Sequence, residues 1–160
     1  MNALDKIYGE YHKRTTSTRY QLAVFLRKQS KHTDSLQLFL QVLESEKVIY
    51  GENDTSLAMT YWNISLCYRK LEQYQQACEY CYLCWQLECI ETENCDLDVL
   101  YTFQILCSDL LKSNQYQMII DLIVPIKEEL LHGSKNRSNE QKKYISYFVE
   151  LEKQVSAFIV

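Results

Sequence analysis

The residues that could most readily bind a metal or react are four cysteines at short intervals in the middle of the chain. Cys78, Cys81, Cys84 and Cys89 form a C-x2-C-x2-C-x4-C pattern, which invites a zinc or iron–sulfur assignment. On a helix, however, steps of three residues turn each thiol by about 60° from the last, so the four do not converge on one point. We therefore predict packing cysteines with no metal or cofactor. The alternatives are a redox-sensitive thiol or a metal site.

No other pattern in the sequence indicates catalysis. A glycine-rich phosphate loop, a nucleophile elbow and an HExxH motif are all absent from the sequence, and its three histidines are far apart. We therefore predict that the chain is not an enzyme. A formal net charge of −4 and a pI of about 5.4 argue against binding to nucleic acid, because such binders are usually basic.

The sequence also suggests where the protein is located. It has no secretory signal and no apolar run of the roughly 18–20 residues that span a bilayer. Its seven cysteines are an odd number and cluster together, which is typical of a reduced compartment. We predict a cytoplasmic protein without membrane insertion.

The chain repeats itself with a period of 42 residues. The repeat relates three sets of equivalent positions: Ser35, Ala77 and Ile119; Leu22, Ile64 and Leu106; Lys28, Lys70 and Lys112. Periods of this size are typical of arrays in which each unit buries its apolar face only against its neighbours. With three glycines and one proline, long helices with short connections are expected.

Each repeat is predicted to contain two helices. The apolar spacing and cap residues give repeats near 16–49, 58–91 and 100–133, with partial units at 1–8 and 138–158. Asn53, Asp54 and Thr55 supply cap oxygens, and Ser138 with Gln141 fits a capping box. Pro125 predicts a kink or an early helix end. A single array over 1–160 is expected.

The middle unit resembles the tetratricopeptide repeat. Its residues Tyr61-x2-Ile64-Ser65-x2-Tyr68 and Ala77-x3-Cys81 keep the spacing of that motif. The 42-residue period and the 50–54 linker are similar to the kinesin light-chain subtype, as is the run Tyr61-Trp62-Asn63-Ile64-Ser65. The resemblance implies an all-α, right-handed helical-hairpin solenoid of about three and a half repeats. Arg19 and Ile119 depart from the motif, and no unit ends in proline.

In such arrays the first helices line a concave groove, and the resemblance implies a peptide site there. The predicted peptide-binding residues are Tyr20, Val24, Arg27, Trp62, Asn63, Leu66, Arg69, Lys70, Tyr101 and Gln104. An aromatic and aliphatic floor with arginines suits a peptide that carries an acidic residue beside a large apolar one. The alternative is that Trp62 packs on a neighbouring repeat and the cationic side chains are a solvated face.

The favoured function is therefore a non-catalytic adaptor or scaffold that binds a short peptide segment of a protein partner. One alternative is a structural oligomerisation module that docks end to end through exposed apolar faces carrying Phe148 and Val155. The other is a regulatory module of a longer repeat protein.

Overall fold

The computed structural model describes residues 9, 11–91, 96–132 and 138–159, and the regular structure in these ranges is entirely helical. A 3₁₀ turn, Thr55–Leu57, precedes the third helix. The α-helices of these ranges are α1 (Lys13–Lys28), α2 (His32–Tyr50), α3 (Ala58–Lys70), α4 (Tyr74–Glu91), α5 (Leu97–Lys112), α6 (Tyr116–His132) and α7 (Asn139–Ser156). The prediction of an all-α chain is confirmed. None of the described helices combines the length and hydrophobicity that crossing a membrane requires.

The chain divides into two compact units, with the boundary after Glu88. Unit 1 contains α1, α2, α3 and most of α4, and unit 2 contains α5, α6 and α7. A single array over 1–160 stays a prediction. The predicted partial unit at 1–8 lies outside the described residues.

Polar residues begin the helices where the sequence predicts. The Asp54 carboxylate accepts a hydrogen bond of 2.9 Å from the amide two residues on, and it caps the 3₁₀ turn rather than α3 itself. Asp96 caps α5 in the same way at 3.0 Å. Ser138 and Gln141 form the predicted capping box, with two reciprocal bonds of 3.1 Å. These bonds satisfy first-turn amides that have no partner inside the helix.

The first helix of each of the three helix pairs is followed by a residue with a left-handed backbone. Ser30, Glu72 and Asn114 have φ values of 60°, 59° and 59°, and they lie 42 residues apart in the sequence. The residue that follows each of them donates its backbone amide to the carbonyl five residues before that amide, at 2.9–3.0 Å. This is the Schellman arrangement, which satisfies carbonyls at a helix end. The 42-residue period is therefore seen in the backbone conformation of the turns as well as in the side chains.

We expect Glu72→Gly to raise the free energy of unfolding by about 0.5–1 kcal/mol. A side chain with a Cβ is strained at positive φ, and glycine relieves that strain at some cost in chain entropy. Glu72 is exposed, so little packing is lost. Urea unfolding measures the change. Gln73→Gly is the control, because Gln73 does not have a positive φ and glycine there is expected to destabilise. Equal effects of the two changes would contradict the strain argument.

Small residues allow the helices of unit 1 to approach closely. Ala23 on α1 and Ser35 on α2 are fully buried, and the Ser35 hydroxyl donates to the Ala23 carbonyl at 2.7 Å. Ser65 and Ala77, the equivalent residues of the next hairpin, are also fully buried. This packing is consistent with the prediction that small residues at these positions bring paired helices together. A larger side chain at any of the four positions would displace the facing helix.

The cysteines of α4 belong to the core. Cys78, Cys81 and Cys84 are buried, which confirms the packing prediction for this part of the pattern. The Cys84 thiol donates to a Glu88 carboxylate oxygen at 3.5 Å, and burial, followed by the Glu88 charge, raises the pKa of Cys84. A protonated thiol is a poor nucleophile and a poor metal ligand. Among the described residues, which leave out Cys95, no group of three or more His, Cys, Asp or Glu side chains could hold a metal.

Unit 2 has its own aromatic core. Phe103 of α5 and Phe148 of α7 meet edge to face, with ring centroids 5.2 Å apart, and Lys127 of α6 forms an ion pair with Glu152 of α7. Phe148 and Val155 are fully buried. The expectation that they form an exposed apolar face for end-to-end docking is therefore wrong, because α7 packs this face against its own unit.

Pro125 lies inside α6 without ending it. The helix continues to His132, so the early end that the sequence allowed does not occur, and the kink stays a prediction. Pro125 is exposed. The carbonyl of Asp121, which loses its helical donor at this point, therefore lies on a side of the helix that water can reach.

Candidate peptide-binding surface

A cavity of about 310 Å³ opens in unit 1 between α1 and α3, the first helices of successive hairpins. We call it the α1–α3 cavity. It is lined by Lys13, Thr16, Ser17 and Tyr20 of α1, Glu46 and Tyr50 of α2, and Ser56, Met59 and Thr60 from the start of the next hairpin. Aromatic rings, hydroxyls and one carboxylate suit a polar or charged side chain.

A second cavity, of about 370 Å³, lies in unit 2 between α5 and α7. We call it the α5–α7 cavity. It is lined by Leu97 and Gln104 of α5 and by Glu140, Lys143, Tyr144 and Tyr147 of α7. Burial raises the pKa of Tyr147 to about 12, and it also raises the pKa of Tyr144, together with the charge of Glu140. Both phenols therefore remain neutral hydrogen-bonding groups.

The two cavities occupy equivalent positions of the repeat. Five pairs of lining residues are separated by 84 residues, twice the period: Lys13 and Leu97, Tyr20 and Gln104, Ser56 and Glu140, Met59 and Lys143, Thr60 and Tyr144. Each cavity therefore lies between the first helices of adjacent hairpins within its own unit. The lining differs in chemistry, so the two cavities would favour different side chains.

Two of the predicted binding residues are joined directly in unit 1. The Asn63 side-chain amide donates to the Tyr20 hydroxyl at 3.0 Å and to the Met59 carbonyl at 2.7 Å. The Tyr20 ring also meets Phe39 edge to face at 5.5 Å. Burial raises the pKa of Tyr20, an effect that the Asn63 bond and the nearby Arg27 charge oppose. Tyr20 is therefore held as a neutral, oriented wall of the α1–α3 cavity.

The other predicted residues are divided between the core and the surface. Val24 and Trp62 are partly buried and pack against the core of unit 1. Arg27, Leu66 and Arg69 are also partly buried, whereas Lys70 is exposed. In unit 2, Gln104 lines the α5–α7 cavity, and Tyr101 is exposed and lies near Tyr144, whose pKa it helps to raise. Of the predicted residues, Tyr20 lines the α1–α3 cavity and Gln104 lines the α5–α7 cavity, and the others line neither of these two cavities. The binding role of the set stays a prediction.

Several residues that line the cavities are not among the predicted binding residues, although the sequence contains a signal for two of them. Tyr101 lies one helical turn before Gln104, and the same position of other repeats is occupied by Met59 and Lys143. Both line cavities, so the 42-residue period relates them to a predicted residue. Glu46 has no such signal, because it lies on a second helix, whereas the predicted groove is built from first helices.

The carboxylate of Glu46 supplies a negative charge in the lining of the α1–α3 cavity. The side chain is partly buried, and burial raises its pKa above the ordinary value of 4.5, with the nearby Thr60 opposing the shift. In the same cavity, the Lys13 ammonium lies 5.0 Å from the centroid of the Tyr50 ring, a cation–π contact. In the described part of the chain, the Glu46 Oε2 atom is buried and accepts no hydrogen bond.

We expect Glu46→Gln to make the protein more stable than the wild type at pH 7. Because the folded-state pKa is raised, the folded protein binds a proton more tightly, so stability falls as pH rises through that pKa. The gain from glutamine therefore shrinks as the pH falls towards 4.5. Urea unfolding at several pH values measures this. Glu44→Gln, at an exposed position of the same helix, is the control. A gain that does not depend on pH would contradict the prediction.

Comparison with known proteins identifies the fold. Residues 5–80 match the tetratricopeptide repeat family. A crystal structure of nearly identical TPR-like repeats, from a kinesin-light-chain-like protein of Podosopora anserina, matches with a TM-score of 0.74. The two share 14% sequence identity, and the match covers 92% of this chain and 76% of that one. A variant of the same protein gives a TM-score of 0.72, with the same identity and coverage. A search of curated protein sequences gave no significant match.

The paired helices and the cavities between first helices define a helical-hairpin repeat protein. Residues 5–80 are similar to the tetratricopeptide repeat family, and the chain shares the fold of the TPR-like repeats of the kinesin-light-chain-like protein. The resemblance of the middle unit to this repeat is thereby confirmed. Repeats of this family generally mediate protein–protein interaction, and the fold is typically a non-catalytic scaffold.

Proposed function

We propose that the chain is a non-catalytic adaptor or scaffold that captures short peptide segments on the surface formed by the first helices of its hairpins. One observation carries the proposal: cavities occur at equivalent repeat positions in both units. Repeat proteins bind their partners along surfaces that equivalent helices build together. Each cavity can receive one side chain of a peptide segment that lies along the first helices of its own unit.

The expected ligand class follows from the charges and rings of the first helices. Arg27 and Arg69 are partly buried, and a guanidinium held in this way can bind a carboxylate through two parallel hydrogen bonds. Tyr101 and Met59 are exposed and offer apolar contact area. A segment with an acidic residue beside a large apolar one fits this surface.

The cytoplasmic location remains a prediction from the cysteine content.

Selection from a library of random short peptides tests the proposal. The full chain is immobilised, and the affinity of each recovered peptide is measured by fluorescence anisotropy. We expect Lys143→Glu, at an exposed position of the α5–α7 cavity, to weaken binding at least about tenfold, equivalent to about 1.4 kcal/mol, because it places a like charge beside an acidic peptide. We expect Met59→Ala, at an exposed position of the α1–α3 cavity, to weaken binding because it removes apolar contact area.

The matched control is Ile90→Glu. Ile90 is 68% exposed, similar to Met59 at 60%, but it lies on a second helix. We expect the control to bind the selected peptides like the wild type. Failure to recover any peptide would contradict the proposal. So would peptides that lose affinity for Ile90→Glu and keep it for both cavity variants.

A further inference from the structure

We infer that the α1–α3 cavity is a subsite for an arginine side chain of the bound segment, with the Glu46 carboxylate as its counter-charge. The inference rests on the proposed function and adds to it. It assigns a chemical preference to one cavity, in addition to the acidic and apolar character expected elsewhere on the surface.

The first argument is the state of Glu46. Its Oε2 atom is buried, and the described residues offer it no hydrogen bond. A desolvated carboxylate oxygen without a hydrogen bond is unfavourable, and the same desolvation raises the pKa of Glu46. An incoming cation would supply charge-assisted hydrogen bonds and remove this cost. The cavity beside Glu46 leaves room for such a group.

The second argument is an independent polar group in the same cavity. Thr60 is 1% exposed, and no described residue donates a hydrogen bond to its hydroxyl oxygen. Its own O–H lies close enough to Glu46 to lower the pKa of that carboxyl as a hydrogen-bond donor. The lone pairs of the hydroxyl and the carboxylate therefore lie side by side as acceptors in one cavity. A guanidinium carries five donors in a planar fork and can bond to both, whereas an ammonium is a point charge.

The third argument is the aromatic wall. Tyr20 and Tyr50 both line the cavity, and the Tyr50 ring already holds the Lys13 ammonium at 5.0 Å. A planar guanidinium can stack on such rings while its edge reaches the acceptors. Lys13 lies over the ring, and the described contacts include no ion pair between it and Glu46. The carboxylate is therefore available to a cation from a partner.

An NMR titration with a single blocked amino acid tests the inference. Acetyl-arginine amide is added to the ¹⁵N-labelled full chain, and the amide shifts of Glu46, Thr60 and their neighbours are followed. The comparison ligands are acetyl-citrulline amide, a neutral isostere, and acetyl-lysine amide. We expect saturable shifts at these residues with the arginine probe, and at least about tenfold weaker binding of both comparison ligands.

Variants of the two glutamates on α2 complete the experiment. We expect Glu46→Gln to weaken binding of the arginine probe at least about tenfold and Glu44→Gln, outside the cavity, to leave it unchanged. Equal binding of citrulline, equal binding of lysine, or full binding to Glu46→Gln would each overturn the inference. Because the probe is not a peptide, these results are separate from the library selection. Selected peptides that bind without this arginine preference would leave the proposed function standing and refute the inference alone.

Discussion

Phe39→Ala is expected to lower the free energy of unfolding by about 3–5 kcal/mol, the range for removing a buried phenylalanine ring. Phe39 of α2 is 0% exposed and belongs to the core cluster that α1, α3 and α4 also build. Its ring also supports Tyr20 edge to face at 5.5 Å. Alanine would leave a cavity in this cluster, and the surrounding helices could fill it only in part.

Phe25→Ala is the matched control, because Phe25 lies in the same unit and is 57% exposed. We expect its effect to stay within about 0.5 kcal/mol. Urea unfolding followed by far-UV circular dichroism measures both variants. The partly buried Trp62 gives a second signal, its fluorescence, from unit 1. A loss below about 1 kcal/mol for Phe39→Ala, or equal losses for the two variants, would contradict the assignment of Phe39 to the core.

The helical hairpins could be predicted because small side chains recur at the positions where paired helices come closest. Ser35 and Ala77 occupy the slot where paired helices come closest, and no large residue fits there in unit 1. The capping box of Ser138 and Gln141 could also be read directly, because its two bonds join residues only three apart. Local chemistry of this kind is fully contained in the sequence.

The left-handed backbone of the turns between paired helices could not be predicted in the same way. Left-handed residues are usually recognised as glycine, but here Ser30, Glu72 and Asn114 adopt this conformation. The hydrogen bonds of the Schellman arrangement and the packing of both helices hold them there. The surrounding structure therefore overrides the local backbone preference, and the residue type carries no clear signal.

The candidate site was predictable only for side chains that share the repeat. Tyr20 and Gln104 occupy one repeat position and line equivalent cavities. Trp62 has the same position in the sequence but packs against the core of unit 1. Glu46 joins the α1–α3 cavity from a second helix, through contacts that depend on how α2 packs beside α1 and α3. Tertiary packing, which periodicity does not encode, decides both cases.

The bond between Asn63 and Tyr20 joins α1 to α3, and Asn63→Ala is expected to lower the free energy of unfolding by about 1–3 kcal/mol. Asn63 is 3% exposed, so its removal leaves the Tyr20 hydroxyl and the Met59 carbonyl without the donor they share. Asn53→Ala, at an exposed position, is the control and should change stability by less than about 0.5 kcal/mol.

A double-mutant cycle with Tyr20→Phe isolates the bond itself. Tyr20→Phe alone is expected to cost about 0.5–1.5 kcal/mol, and the coupling energy between the two changes to be about 0.5–1.5 kcal/mol. Because Tyr20 lines the α1–α3 cavity, this bond fixes the orientation of a cavity wall as well as the spacing of two first helices. A coupling energy near zero would mean that the two side chains stabilise the fold independently. The cavity would then have no fixed aromatic wall for a ligand to use.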